Sequence, residues 1–357
     1  MSSDLATPAT RKDASAAKSS GAREPVWRRA ARWETGLVAV LIGVLLWASI
    51  KSPTFTDPST AFYFGVNTGY IAVMALPMTF VVMTGEIDLS VASMLGLSAS
   101  MVGYLWHHGW NIWAAFAVAL LVGVVGGALN GVLVARFGLP SIAVTIGTLT
   151  LFRGLAEVLL GSLTIPTIGD RQFPQWLTNI GVNSIPGTQV SWSMLIFIVL
   201  AVIFGVVLHL MPLGRAMVAV GLQPEAAQFA GIRVKRMKFW LFVLSGLMSA
   251  FAGILVTLQQ ASVSYNVGNG LELTVVAIVL FGGVSIFGGR GTILGVVLSV
   301  AIVGSLQMAL TQLNVSSDKQ NIVTGVLLLI SVIVPNGGEA LRRAREFVRR
   351  RAAHEPG

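Results

Sequence analysis

The 357-residue sequence contains no cysteine. That excludes a disulfide framework, a thiol nucleophile and any cysteine-held metal. Charge is scarce too: 11% of the residues are Asp, Glu, Lys or Arg, where an ordinary globular domain has about 25%. A soluble fold with so little charge could not cover its surface, so lipid is the implied solvent. Histidine is rare, and the four at 107, 108, 209 and 354 show no ligand spacing. None of the six lysines follows a glycine, so there is no GxxxxGK[ST] phosphate loop. Nucleophile elbows and HExxH helices are missing as well. Neither enzymatic activity nor a bound metal is expected of this chain.

What the sequence has instead is apolar length. A spanning helix needs about 20 apolar residues, and one buried in a bundle can be shorter. Ten stretches qualify as candidates: 36–51, 62–84, 88–106, 111–135, 140–161, 190–211, 238–258, 271–287, 292–311 and 320–335. The expected fold is all-α, a polytopic bundle of about ten transmembrane spans. Pro140 suits the first turn of its helix, where no N–H is needed. Pro77 falls inside the second stretch and is expected to kink or break it. Gly123, Gly127 and Gly131 stand at small-xxx-small spacing, which lets helix backbones approach closely.

The formal charge is +9, but its distribution points away from nucleic acid. With ten spans both termini share one side. The segments on that side hold seven Lys or Arg in 1–33, Arg136, five in 213–238, Arg290 and six in 336–357, which is twenty. The opposite side holds three: Lys51, Arg171 and Lys319. The positive-inside rule then places both termini in the cytoplasm. The organisation reads as a basic tail over 1–33, expected to be disordered, a membrane domain over 34–335, and a second basic tail over 336–357. Residues 162–189 form an outside loop or short interfacial helix. Residues 212–237 form the long inside loop.

Three places carry polar chemistry. The turn MTGEIDLS sets Glu86 and Asp88 between apolar runs, with Gly85 and Ser90 beside them. Asp88 fits the N-cap of the next helix, accepting from its free N–H groups. In the inside loop, Pro224, Glu225, Ala226, Ala227 and Gly231 describe a two-turn helix: proline at its start, an acid at its positive end, glycine at its stop. Its apolar face would hold Ala226, Phe229 and Ala230. So short a helix is unstable alone, so it is either a plain surface loop or a docking element for a cytoplasmic protein. In the fifth span, Arg153 and Glu157 stand at i and i+4, where they can pair or reach for the outer surface. Thr145, Thr148, Thr150, Asn130 and Gln307 are the polar groups that could line a path for a neutral solute.

Four blocks then resemble one family. Gly85-Glu86-Ile87-Asp88-Leu89-Ser90-Val91-Ala92-Ser93 is similar to a Gly-Gly-Ile-Asp-Leu-Ser-Val-Gly-Ser signature. Residues 140–149 with Arg153-Gly154 resemble a second block. Gly214-Arg215 through Gly221, Glu225-Ala226-Ala227 and Ala230-Gly231-Ile232 resemble an ATPase-coupling segment. Phe281-Gly282-Gly283 with Gly288-Gly289-Arg290-Gly291-Thr292 resembles a fourth block. Over about residues 37–334 the chain resembles the permease subunits of bacterial ABC-type sugar importers, in the ribose-like branch of the branched-chain amino-acid and sugar permease superfamily. It departs from the usual glycines at Glu86 and Ala92, and a Glu there looks more like rhamnose-type and some autoinducer-2-type permeases.

The resemblance implies an inner-membrane subunit that works with a cytoplasmic ABC ATPase. ATP and Mg would be bound there, with no cofactor in this chain. It also implies a periplasmic sugar-binding protein and a second permease copy or paralogue. The short inside helix would sit in a groove on the ATPase, and the cargo would be a rhamnose-like or ribose-like monosaccharide. An ion-coupled secondary transporter and a non-transporting membrane scaffold stand as the alternatives.

Overall fold

A computed structural model describes residues 26–161, 164–166, 173–260, 262–331 and 333, with side chains described from Trp33 onward. The basic segment 336–357 and most of the segment 1–33 lie outside these residues. The described part of the first tail corrects its boundary: helix α1 runs Val26–Lys51, so the chain is helical well before residue 33.

Helices follow in chain order: α2 Pro58–Met83, α3 Val91–His107, α4 Ile112–Gly131, α5 Ser141–Leu160, α6 Gln175–Val182 and α7 Trp192–His209. Then come α8 Pro212–Leu222, α9 Pro224–Phe229, α10 Val234–Gln259, α11 Leu271–Phe281, α12 Ile293–Gln312 and a last helix, α13, over 317–331. A π-helical turn, Val132–Arg136, extends α4. Each of the ten apolar stretches holds a helix. Among the described residues, seven helices are long and apolar enough to cross a membrane; α3, α11 and α13 fall short of that length.

Three expectations need correction. Pro77 does not break α2, which runs unbroken from Pro58 to Met83 with the proline buried inside it. The eighth stretch is not a helix over 271–287. It stops at Phe281, because Gly283, Gly288, Gly289 and Gly291 take positive φ and turn the chain through a compact loop. Nor is the fold wholly helical. Strand β1, Ile165–Pro166, pairs antiparallel with β2, Ser262–Val263, and ties the segment after α5 to the far end of α10.

The helices are layered by burial. Residues 71–83 of α2 and most of α3, α10 and α11 are buried. Around them, α1, α4, α5 and α7 turn rows of large apolar side chains outward, among them Leu46, Ile50, Leu121, Val125 and Val202. An apolar exterior of this size suits lipid, where helices gain little from hiding Leu or Ile and associate through close packing. The α4–α10 crossing shows that packing: Gly123 and Gly127 lie against Gly246 and the backbone of Phe242 and Val243, and Gly131 lies against Phe239.

One end of α1 is fastened far along the chain. The indole N–H of Trp33 donates to the Phe281 carbonyl at 3.2 Å. The Thr292 hydroxyl donates to the Glu34 carboxylate at 2.6 Å. Leu37 packs with Phe281 and Ile302 beneath them.

Candidate functional site

The turn between α2 and α3 is held from every side. Gly85 takes φ +80°, the left-handed region that lets the chain leave α2. Glu86 forms an ion pair with Lys238 of α10. The amide of Ile87 donates to the Ser141 hydroxyl at 3.2 Å. Its carbonyl lies 3.3 Å from the Thr145 hydroxyl, which donates more closely to the Ser141 carbonyl at 2.8 Å, so α5 meets both backbone polar groups of Ile87. Asp88 is 1% exposed. One of its oxygens accepts from the Ser90 amide at 3.0 Å and the Ser90 hydroxyl at 2.6 Å. The other accepts from the Ser245 hydroxyl of α10 at 2.7 Å. The Asn130 side-chain amide of α4 then donates to the Ser90 oxygen at 2.8 Å.

This arrangement corrects the capping expectation. Ser90, not Asp88, occupies the N-cap of α3. Asp88 sits two residues earlier and serves as the buried acceptor that joins the turn to α10. A buried carboxylate needs such donors, because an unpaired one is very costly. The second acid also has its explanation: Glu86 neutralises Lys238, which would otherwise stand unpaired beside the same turn. Both side chains of that pair are 16% exposed. We expect Glu86→Gly and Lys238→Met each to cost about 1 kcal/mol and the double variant to cost less than their sum. Thermal unfolding of the purified chain through this double-mutant cycle checks it, and additive losses would mean the pair stabilises nothing.

The segment 212–237 docks beside this turn. It contains a helix absent from the sequence expectations, α8, in which Gly214 folds back onto the Leu208 carbonyl while the Arg215 side chain faces outward. Near the end of α8, Gly221 lies between the Met83 carbonyl at the end of α2 and the backbone of Gly288 and Gly289. The Gly289 amide donates to that same Met83 carbonyl at 2.8 Å. Three backbones therefore meet at one point, with no room for a Cβ.

Helix α9 follows after Gln223 alone. Pro224 opens it and Glu225 lies in its first turn. Gly231 closes it at φ +87°. The Ile232 amide donates to the Ala227 carbonyl and the Gly231 amide to the Gln228 carbonyl, both at 3.0 Å, completing a Schellman-type stop. Ala227 is the one buried residue of α9. Ala226 and Ala230 are exposed, and Phe229 is 93% exposed. The helix is thus opened by Pro224 and stopped at Gly231, and its expected apolar face is exposed among the described residues.

Residues 60–332 match the family model described as branched-chain amino acid transport system / permease component. The chain belongs to this family. Relatives include the L-arabinose ABC transporter permease protein of Azospirillum brasilense, 33% identical over 91% of this chain and 94% of that one. The autoinducer 2 import system permease protein of Klebsiella pneumoniae is 30% identical over 89% and 94%. The ribose import permease protein of Haemophilus influenzae is 31% identical over 85% and 93%. The permease is therefore a multi-pass membrane protein of the sugar ABC branch of its superfamily.

The remaining residues singled out in the permease fall in several places. Asn130 and Thr145 are spent on the turn, as described. Thr148 is buried and its hydroxyl returns to the Val144 carbonyl at 3.2 Å. Gln307 is half-buried on α12. Arg153 does not pair with Glu157. Its guanidinium donates to the carbonyls of Tyr265 and Val267, at 3.0 and 2.9 Å. An arginine presents several donors in a fixed fork, and two carbonyls converging from a tight loop satisfy it where one exposed carboxylate would not. Ser141, Lys238 and Ser245 were not legible as partners of the turn. Ser141 and Lys238 carried a weak signal, since each opens or nearly opens a helix.

Proposed function

We propose that this permease is the membrane-spanning subunit of an ATP-driven sugar importer in the bacterial plasma membrane. The observation that carries the reading is α9: a short helix opened by a proline and stopped by a glycine, with Phe229 exposed, next to α8, whose Gly221 packs on the end of α2. Such a helix suits a groove on a cytoplasmic ATPase, which would bind the ATP and Mg. A periplasmic binding protein would deliver the cargo, and a second permease copy or paralogue would complete the pathway. The charge distribution supports ten membrane segments, the three short helices included, with both termini cytoplasmic.

The cargo is a neutral monosaccharide on this reading. The names of the relatives carry arabinose, ribose and autoinducer 2, which favours a pentose-sized solute over the rhamnose-like one. The feature that pointed to rhamnose, Glu86, is accounted for by Lys238 and so marks the architecture of the turn rather than the cargo.

Phe229→Asp and Gly231→Val should leave the permease inserted and thermally near normal, because neither position touches a span. Both should cut uptake of labelled D-ribose or L-arabinose, and Phe229→Asp should also prevent co-purification of the ATPase. Val at 231 must adopt a left-handed conformation that β-branched residues resist. Undiminished uptake with both variants would remove the coupling role from α9 and move an ion-coupled carrier ahead.

A further inference from the structure

The loop between β2 and α11 is folded back beside α5. Three backbone bonds wind it through successive tight turns: the Val267 amide donates to Ser264, the Asn269 amide to Asn266 and the Leu271 amide to Gly268. Arg153 fastens this coil through the Tyr265 and Val267 carbonyls. Tyr265 packs on the cluster of Met94, Leu97, Phe152 and Ala156, so the inner side of the loop is seated between α3 and α5. Its outer side is not seated: Asn266, Asn269 and Gly270 are exposed.

Depth makes that exposure informative. Helix α5 begins at Ser141, beside the cytoplasmic turn. Arg153 stands twelve residues further along, about 18 Å at 1.5 Å per residue, inside a hydrocarbon core of about 30 Å. Non-helical backbone at such depth is tolerated only where protein buries it or where it lines water. Two exposed carboxamides on it cannot face lipid. The adjoining face of α5 is just as unsuited to lipid. Thr150, Gly154 and Glu157 recur at helical spacing beside Arg153, and all three are exposed.

We propose that Asn266 and Asn269 on the loop, with Thr150 and Glu157 on α5, line a water-filled vestibule that takes a neutral polyhydroxy ligand, and that Arg153 is the positioning residue that holds the loop there. Carboxamides suit such a ligand because each offers both donors and an acceptor to a hydroxyl. A hydroxyl and a carboxylate on the opposite wall complete the set. The ligand's identity as a sugar rests on the importer reading, whereas the vestibule itself does not.

The native absence of cysteine makes the test direct. Asn266→Cys, Asn269→Cys and Thr150→Cys are made singly in the full transporter in cells, with Val202→Cys on the outward apolar face of α7 as control. A charged, membrane-impermeant methanethiosulfonate is added from outside, and uptake of labelled D-ribose and L-arabinose is followed. The vestibule requires that the loop and α5 cysteines react roughly tenfold or more faster than the control, since only a water-exposed thiol ionises and reacts readily. Their modification should also block uptake. Adding Arg153→Gln should change the labelling rate at Asn269→Cys severalfold, and Arg153→Lys should restore part of it, which a merely structural role at a distance would not do. Cysteines as slow as the control, in a transporter that still takes up sugar, overturn the vestibule alone. Fast cysteines in a chain whose cysteine-free parent moves neither sugar uphold the vestibule and overturn the pentose cargo.

Discussion

Gly221→Val should abolish coupled transport while the permease still reaches the membrane. The site explains the size of the effect. A Cβ at this position would collide with the Met83 carbonyl on one side and the Gly289 amide on the other, and both are backbone. Backbone cannot rotate away as a side chain can, so α8 must lift from the end of α2. Overpacking of this kind costs about 1–3 kcal/mol, enough to part three segments without unfolding the bundle. With α8 displaced, movement of α9 no longer reaches α2 or the 282–292 loop. In reconstituted complex, basal ATP hydrolysis should persist while its stimulation by loaded binding protein is lost. Uptake in cells should fall to background. Stimulation at the parental level would mean that α8 and α2 move independently.

Asp88→Ala should be the most destabilising single change in the turn. It removes the acceptor of three hydrogen bonds and leaves two buried serine hydroxyls and one amide without it. Each buried donor left unpaired costs about 1–3 kcal/mol; serines can turn back to their own helix, so the total should lie near the lower end, about 2–3 kcal/mol. Asp88→Asn keeps one acceptor oxygen and replaces the other with an NH2 donor, which the Ser245 hydroxyl can accept once it rotates, and should cost less than half as much. Thermal unfolding in detergent measures both. If the asparagine variant were as damaged as the alanine one, the negative charge, and not the acceptor geometry, would be what the turn requires.

Much of this fold was legible because lipid imposes a simple rule on sequence. Apolar length marks each helix, and all ten stretches hold one. The rule fails where chain geometry rather than polarity decides. Residues 284–287 still carry Val, Ile and Phe, yet the glycines at 283, 288 and 289 turn them into a loop. Pro77 misled in the opposite direction, since its surroundings in α2 keep the helix whole. For the site, α9 could be read from its start and stop residues, because capping is local chemistry. The partners of Asp88 could not: Asn130 and Ser245 lie 42 and 157 residues further on, and nothing in a serine marks which carboxylate it will meet. Arg153 shows the same limit. Its nearest carboxylate in sequence is Glu157, but its ligands are carbonyls more than a hundred residues away.

The fastening of α1 has a consequence for how the chain is made. Trp33 and Glu34 are synthesised some 250 residues ahead of their partners, Phe281 and Thr292. Until residue 292 has left the ribosome, Trp33 and Glu34 lack these two partners. Contacts that close loops of some 250 residues form late, because the entropy of so long a loop must be overcome first. The bundle is therefore closed around α1 late, when a helix already in the bilayer meets a segment made some 250 residues after it.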